Sequence, residues 1–489
     1  MLSRIDQSPL YRVANPRSIV FFGGSNKIES MGTNILMSLL GMGFDGPVFP
    51  VHPKEKNVQG LTAYASVLDL PVTPDLAVMV LPTASVNPTM EQCGRMGIRQ
   101  VVVVSGGFKE VGGEGPTLEY EMVEICRRHG ITLIGPNCLG VANPHHKLNT
   151  TFLPFEGRPG FIGLASQSGS FITQMFNYMA RHHLGFSTAF SVGNSACIDI
   201  VDCLDYLGAC PHTRVITLYI EGLTRGRAFV ETARAISPQK PIVALYVGGS
   251  QAGRKAGSSH TGAMAGPDRL YDGIFRQAGI IRASNLTELF DFAWVLGTQP
   301  KPRSRGVVLQ THSGGPGAVA ADALGRTGLT LPDLSVQTLE ALQPYVPHTG
   351  SVANPVDLTF SKNPMDFFSA IPKVLLEDKN VAMLMIYFLI PLPVIRRALS
   401  QMGVAPEHLE SEADQMVAEY ARAFSQLHLQ ARKPMVGYTW RGLEERFAQL
   451  LMENGVPLFP EPERAARALA ALVRYHEWRK GINADSVTR

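Results

Sequence analysis

The stretch Pro241–Gly266, PIVALYVGGSQAGRKAGSSHTGAMAG, sets the reading of the whole chain. Its first seven residues are an apolar run of the length of one buried strand. The remainder is rich in glycine and small hydroxyls and carries one histidine, His260, flanked by Ser258, Ser259 and Thr261. Gly253, Gly257, Gly262 and Gly266 leave the backbone free to turn and to bring N–H groups close to an anion. A strand that delivers an imidazole into such a loop suits phosphate handling. A surface loop with an incidental histidine has the same composition.

On both sides of this stretch, strand-like runs alternate with helix-length segments, the pattern of parallel α/β sheets. FIGLAS (161–166), FSTAFSVG (186–193), VITLYIEG (215–222) and GIIRAS (279–284) belong to one unit with PIVALYV. FIGLAS runs into Gln167, Ser168, Gly169 and a helix, so hydroxyls and N–H groups collect at a helix start, either an anion site or only an N-cap. Glu221 ends VITLYIEG. If that strand neighbours PIVALYV, the carboxylate can accept a hydrogen bond from one imidazole nitrogen and leave the other as nucleophile.

Nearer the N-terminus, SIVFFGGS, GPVFPVHP, AVMVLP, VVVVSGGF and ITLIGPNCLG describe a Rossmann-like nucleotide fold. Gly23, Gly24, Ser25 and Gly32 lead into a helix whose start can receive a pyrophosphate. The G-x-G-x-x-G fingerprint is absent there, which turns the reading from NAD toward another diphosphate nucleotide, coenzyme A among them. Asn143–Gly160 loses periodicity and reads as a linker. A second linker, TQPKPRSRG (298–306), precedes a third α/β unit that opens VVLQTHSGGPGAVAADALGRTG. There Gly315-Pro316-Gly317 fits a relaxed dinucleotide pattern, but proline inside the turn favours an anion nest or tight packing. EPERAARALAALVRYHEWRK (461–480) reads as an amphipathic packing helix.

Composition sets the outer limits. With 489 residues, 45% hydrophobic, 17% charged and 47 glycines, the chain has the profile of a globular α/β protein of two to four domains. A net charge of +3 argues against a polyanion-binding surface, and so against nucleic acid. Six cysteines without a C-x-x-C pair fit buried thiols in a reducing compartment, and Cys203, Cys210 and His212 match no standard metal spacing. The N-terminus lacks a signal-peptide core, and the apolar run Val381–Ile395 is broken by Pro391 and Pro393, so a soluble cytoplasmic protein without a membrane partner is expected.

The runs SQSG (166–169), SVGN (191–194) with Asp199 beyond, YIEG (219–222) and AGSSHTGAMAG (256–266) resemble the nucleoside-diphosphate-forming acyl-CoA synthetases, relatives of succinyl-CoA synthetase. GGS (23–25), GPNCLG (135–140), SGGPG (313–317) and NPVDL (354–358) match the same family in the same order across nearly the whole chain.

The resemblance implies a CoA-binding Rossmann-like domain (1–150) followed by two flavodoxin-like domains (151–300 and 301–489). It implies that His260 is phosphorylated in turnover with Glu221 orienting it. It also places Ser166, Ser168 and Gly169 at the phosphate and acyl-phosphate site, with Gly23, Gly24, Ser25, Gly32, Asn137, Gly193 and Asn194 in segments associated with CoA and substrate. No segment resembles an ATP-grasp domain, so the chain reads as an α subunit. Its nucleotide (ATP or ADP) and Mg²⁺ would be held largely on a β partner in an αβ or α2β2 assembly.

Two positions depart from the family pattern: Tyr246 stands where many relatives carry lysine, and Ala209–Cys210 where an acidic turn is common. A CoA-binding regulatory subunit without turnover is the other reading, and a nicotinamide oxidoreductase a more distant one.

Overall fold

The computed structural model describes residues 4–154, 158–253, 266–359 and 363–487. His260 and its neighbours Ser258, Ser259 and Thr261 lie outside the described residues. The chain divides into two compact units, Met1–Leu289 and Phe290–Arg489.

The first unit holds two sheets. In the first, the strands lie in the order Val48–Val51, Ile19–Phe22, Leu76–Met79, Gln100–Val103, Thr132–Ile134, all parallel. Ile19, Phe21, Leu76 and Val78 feed one apolar cluster, and Val20, Phe22, Ala77 and Met79 another. Both faces of the sheet are therefore covered, which is why these strands read as unbroken apolar runs and not as alternating ones. The second sheet runs Ile281–Ala283, Ile242–Tyr246, Val215–Ile220, Ile162–Ser166, Phe186–Ser191, then two antiparallel strands, Val141–Asn143 and Leu148–Asn149.

These last two strands come from and adjoin the segment that reads as a linker. Its polar residues are interior, not solvated: Asn149, Thr150 and Thr151 are fully buried. Asn149 Oδ1 accepts from the Thr151 N–H and hydroxyl, and Val141 N–H donates to Thr150 Oγ1 at 2.8 Å. Burial of polar groups satisfied in this way leaves no apolar period to detect.

The second unit contains one parallel sheet, Val356–Asp357, Val307–Thr311, Met383–Tyr387, Met435–Tyr438, Leu458–Phe459. The final helix, Pro462–Val487, packs as expected and is pinned by Arg464, which grips the buried Asp291 carboxylate through Nε and Nη2, each at 2.8 Å. Gly315, Pro316 and Gly317 fall in the first turn of the helix Gly314–Arg326, so the dinucleotide-like pattern lies in the helix and not in the turn before it.

Taken in chain order, the parallel strands of all three sheets follow the order 2-1-3-4-5. That order places ligands beyond the carboxyl ends of the strands, beside the first one. In the second and third sheets that first strand ends alike. Ser166 Oγ accepts from Ser168 N–H at 3.1 Å and donates to Ser168 O at 2.7 Å; Thr311 Oγ1 does the same with Ser313 at 3.2 and 2.9 Å.

Candidate active site

In the second sheet, the strand ends singled out from the sequence are neighbours. Ser166 pairs with Tyr219, and Ile220 with Tyr246, so the strand that leads toward His260 lies directly beside the strand that ends at Glu221. Between them and the SQSG turn stands Gln167. Its Oε1 accepts from the N–H groups of Glu221 at 2.6 Å and Gly222 at 3.0 Å, while its Nε2 donates to Gly222 O at 2.9 Å. One side-chain amide thus fixes the Glu221 turn against the Ser166–Gly169 turn. Glu221 Oε2 is buried and has no hydrogen-bond partner among the described residues. A buried, unpaired carboxylate oxygen is costly unless something donates to it. Beside it, burial and then the Glu221 charge push the Tyr219 hydroxyl up to about 12.

Ser166 is wholly buried and its hydroxyl is spent shaping the turn. Ser168 occupies the N-cap position of the helix Gly169–Arg181, and its side chain makes no capping bond. Its hydroxyl stands at a helix N-terminus, where the backbone dipoles favour negative charge. At Gly169 a Cβ would come within 2.9 Å of Leu139 Cγ, which keeps this helix start close to the GPNCLG segment.

That segment joins the two sheets of the first unit. Asn137 (φ 56°) donates through Nδ2 to Asn194 Oδ1 at 3.3 Å, and a Cβ on Gly193 would lie 2.3 Å from Pro136 O. Asn194 Nδ2 donates to Glu110 Oε2 at 2.6 Å and Glu119 Oε2 at 2.8 Å, and Lys109 pairs with Glu119 at 3.2 Å and donates to Asn194 O. The Asn194 amide is thus committed inside the protein. Burial pulls the Glu110 carboxyl up, but hydrogen bonds from Asn194 and from the Gly107 N–H outweigh it and hold the group below its ordinary value.

The GGS turn lies at the end of the strand Ile19–Phe22. Gly23 has φ +93°, and a Cβ there would meet Val80 O at 2.0 Å; at Gly32 it would meet Gly23 O at 2.1 Å. Only glycine fits either position. The Ser25 N–H donates to Thr33 Oγ1 at 3.1 Å, and Thr33 Oγ1 donates to Ser25 O at 3.0 Å, fastening the turn to the helix Met31–Gly41.

Gln167, Lys109, Glu110, Glu119 and Thr33 were not among the residues singled out from the sequence. Gln167 is the one with a local signal, because it lies inside SQSG. The others act across 8 to 85 residues of chain, beyond what a local pattern encodes.

A glycine turn at the switch point of one parallel sheet, and a helix start beside a buried, unpaired carboxylate oxygen on the next, fit a CoA- or nucleotide-handling α/β protein. Residues 17–144 match the family model of a CoA binding domain, 159–296 that of a succinyl-CoA ligase like flavodoxin domain and 307–424 that of a Ligase-CoA domain. The α subunit of ADP-forming acetate–CoA ligase II of Pyrococcus furiosus is 36% identical over 462 residues, covering 94% of this chain and 96% of its own. ADP-forming 4-hydroxybutyrate–CoA ligase of Nitrosopumilus maritimus is 31% identical over 96% of this chain and 64% of its own length. The solved dinucleotide forming acetyl-coenzyme A synthetase 1 of Ca. Korarchaeum cryptofilum, in complex with phosphate and ADP, superposes with a TM-score of 0.85 at 30% identity, covering 97% of this chain and 98% of its own. The chain belongs to the family of ADP-forming acyl-CoA ligases and is homologous to their α subunits.

Proposed function

We propose that this chain catalyses the acyl and phosphoryl half-reactions of an ADP-forming acyl-CoA ligase: acyl-CoA, phosphate and ADP interconvert with carboxylic acid, CoA and ATP. A phosphate oxygen attacks the thioester carbonyl, and the CoA thiolate leaves and takes a proton. An imidazole nitrogen of His260 then takes the phosphoryl group from the acyl phosphate and releases the carboxylate. Finally the phosphoryl group passes to ADP. Each covalent stop divides one difficult exchange into easier ones.

The observation that carries this reading is the carboxylate Glu221. It is held by Gln167 at the end of a strand adjacent to the one that leads to His260, with a buried oxygen that no described residue satisfies. An imidazole N–H suits that oxygen, and the pairing would fix the tautomer and stabilise the charged phosphohistidine. The residues present also fit the substrates. Ser168 and the N-terminus of Gly169–Arg181 offer donors to a phosphoryl group. The Gly23, Gly24, Ser25 and Gly32 turn offers the close backbone approach that the diphosphate of CoA requires. Asn137, Gly193 and Asn194 meet in the segment that joins the two sheets.

ADP and Mg²⁺ belong on an ATP-grasp β partner, in an αβ or α2β2 assembly. The metal's part there is to neutralise the nucleotide phosphates. No helix among the described residues is long and apolar enough to cross a membrane; a cytoplasmic location is part of this proposal.

The test is phosphate-dependent release of CoA thiol by the purified chain from a panel of acyl-CoA thioesters, without nucleotide. We expect near-stoichiometric release with one class of thioester and none from His260→Ala beyond what free acyl phosphate accounts for. Binding of CoA without phosphate-dependent release from any thioester, with or without the β partner, would replace this reading with the non-catalytic CoA-binding subunit.

A further inference from the structure

The segment that carries His260 leaves the strand Ile242–Tyr246 and leads into the helix Asp268–Ala278. Side chains at its base hold the two ends together. Tyr246 Oη donates to Gly266 O at 2.7 Å. A Cβ on Gly249 would lie 2.1 Å from Asp268 Oδ1, so the outgoing chain passes directly against that carboxylate. Asp268 in turn pairs with Arg282 on the adjoining strand Ile281–Ala283, and Arg282 also pairs with Asp272 on the helix.

Tyr246 stacks on Tyr271 of that helix, with ring centroids 3.5 Å apart and planes 12° from parallel. Both side chains are buried. Tyr271 Oη accepts from the Leu223 N–H at 3.2 Å, in the turn that follows Glu221. Two phenylalanines would fill the same space without the cost of burying two hydroxyls, a cost that a hydroxyl offsets only through its partners. Here the partners are backbone groups of two different segments, the one that carries His260 and the one that carries Glu221. The stacked rings join them.

We propose that Tyr246 and Tyr271 are positioning residues for phosphoryl transfer to His260: their stacked rings and two hydroxyls hold the ends of the His260 segment in register with the Glu221 turn. The inference rests on the phosphohistidine reaction proposed above. In that step an imidazole nitrogen bonds to phosphorus, the bond from phosphorus to the acyl oxygen breaks, and its electron pair leaves with the carboxylate. Neither tyrosine gains or loses a proton. What the pair contributes is geometry, since drawing the ends of a segment together removes part of the entropy lost when a group within it is placed. The step before, attack of phosphate on the thioester, does not use His260 and does not depend on this register.

The experiment compares Tyr246→Phe and Tyr271→Phe with the full-length wild-type chain. Each substitution removes one hydroxyl and keeps the stacked ring, and circular dichroism confirms that each variant is folded at the assay temperature. Two rates are measured with the thioester on which the wild type is active: phosphate-dependent exchange of radiolabelled CoA into acyl-CoA, which needs only the first step, and incorporation of radiolabelled phosphate at His260. The ratio of labelling to exchange should fall about tenfold in each variant, the scale of a small misplacement of reacting groups. Hydrogen exchange at the Leu223 amide should quicken in Tyr271→Phe. Labelling at the wild-type rate in both variants overturns this inference alone, as do exchange and labelling that fall together, the mark of a merely structural loss. A wild-type chain that exchanges CoA but takes no label on His260 overturns the phosphohistidine reaction, and this inference with it.

Discussion

Gln167→Ala removes the side chain that joins the two halves of the site. The substitution deletes three hydrogen bonds: two accepted from the Glu221 and Gly222 N–H groups and one donated to Gly222 O. Each is worth about 1 kcal/mol net, and more where a buried group is left unpaired, so the loss should be roughly 2–4 kcal/mol. At this domain size that corresponds to a fall in Tm of roughly 5–10 °C. Glu221 would also lose its fixed position, so phosphoryl transfer should fall by more than the loss of folded protein explains. Gln167→Glu keeps the acceptor but loses the donor and sets a second carboxylate near Glu221; it should fall between wild type and alanine in stability while labelling as poorly as alanine. The measurements are thermal unfolding by circular dichroism and, at a temperature where all variants are folded, the rate of phosphoryl incorporation from phosphate and acyl-CoA. An alanine variant that melts with the wild type and incorporates phosphate at the same rate would refute the reasoning, because the Glu221 turn would then not depend on Gln167.

Other substitutions separate stability from chemistry. Glu221→Gln removes the charge of a side chain whose Oε2 has no partner among the described residues, so melting should hardly change while phosphoryl incorporation drops about a hundredfold or more. Gly32→Ala drives a Cβ to 2.1 Å from Gly23 O and should cost about 3 kcal/mol, read as a lowered Tm together with weakened CoA binding in calorimetry.

The second unit should be acid-sensitive, because burial pushes His312 and His428 down to about 4. Between the ordinary histidine value and that figure the unfolded chain binds more protons than the folded one. Stability therefore falls as pH drops from about 6.5 toward 4, by about 1–2 kcal/mol per histidine at pH 5. Urea unfolding at pH 7 and pH 5 measures this, and His428→Gln should flatten the dependence.

The sheets were readable in the sequence because their strands are buried on both faces, and FIGLAS, VITLYIEG and PIVALYV carry that burial as continuous apolar runs. Their adjacency is not legible in the sequence, since parallel order depends on long-range pairing that no local pattern encodes. The strands Val141–Asn143 and Leu148–Asn149 escaped because Asn149, Thr150 and Thr151 are satisfied inside the protein and look like loop residues. Within the site, Gly23 and Gly32 announced themselves by type, and the structure supplies the backbone approaches that require them. Asn194 is marked in the sequence only by its place in SVGN. Its contacts with Glu110 and Glu119 join residues 84 and 75 positions apart and became visible only in three dimensions. The role of Gln167 was hidden for the opposite reason: it stands inside a motif whose serines and glycine drew the chemical reading.

The central step of the proposed reaction is the passage of a phosphoryl group through His260. The most direct measurement is to incubate the purified chain with radiolabelled phosphate and its acyl-CoA thioester, then locate the label by peptide mapping under alkaline and acidic conditions. Acid-labile, base-stable label is expected on the peptide that contains His260, absent from His260→Ala and much reduced in Glu221→Gln. Label on another residue, or no label with any thioester even after a cognate β partner, Mg²⁺ and ATP are added, would contradict it.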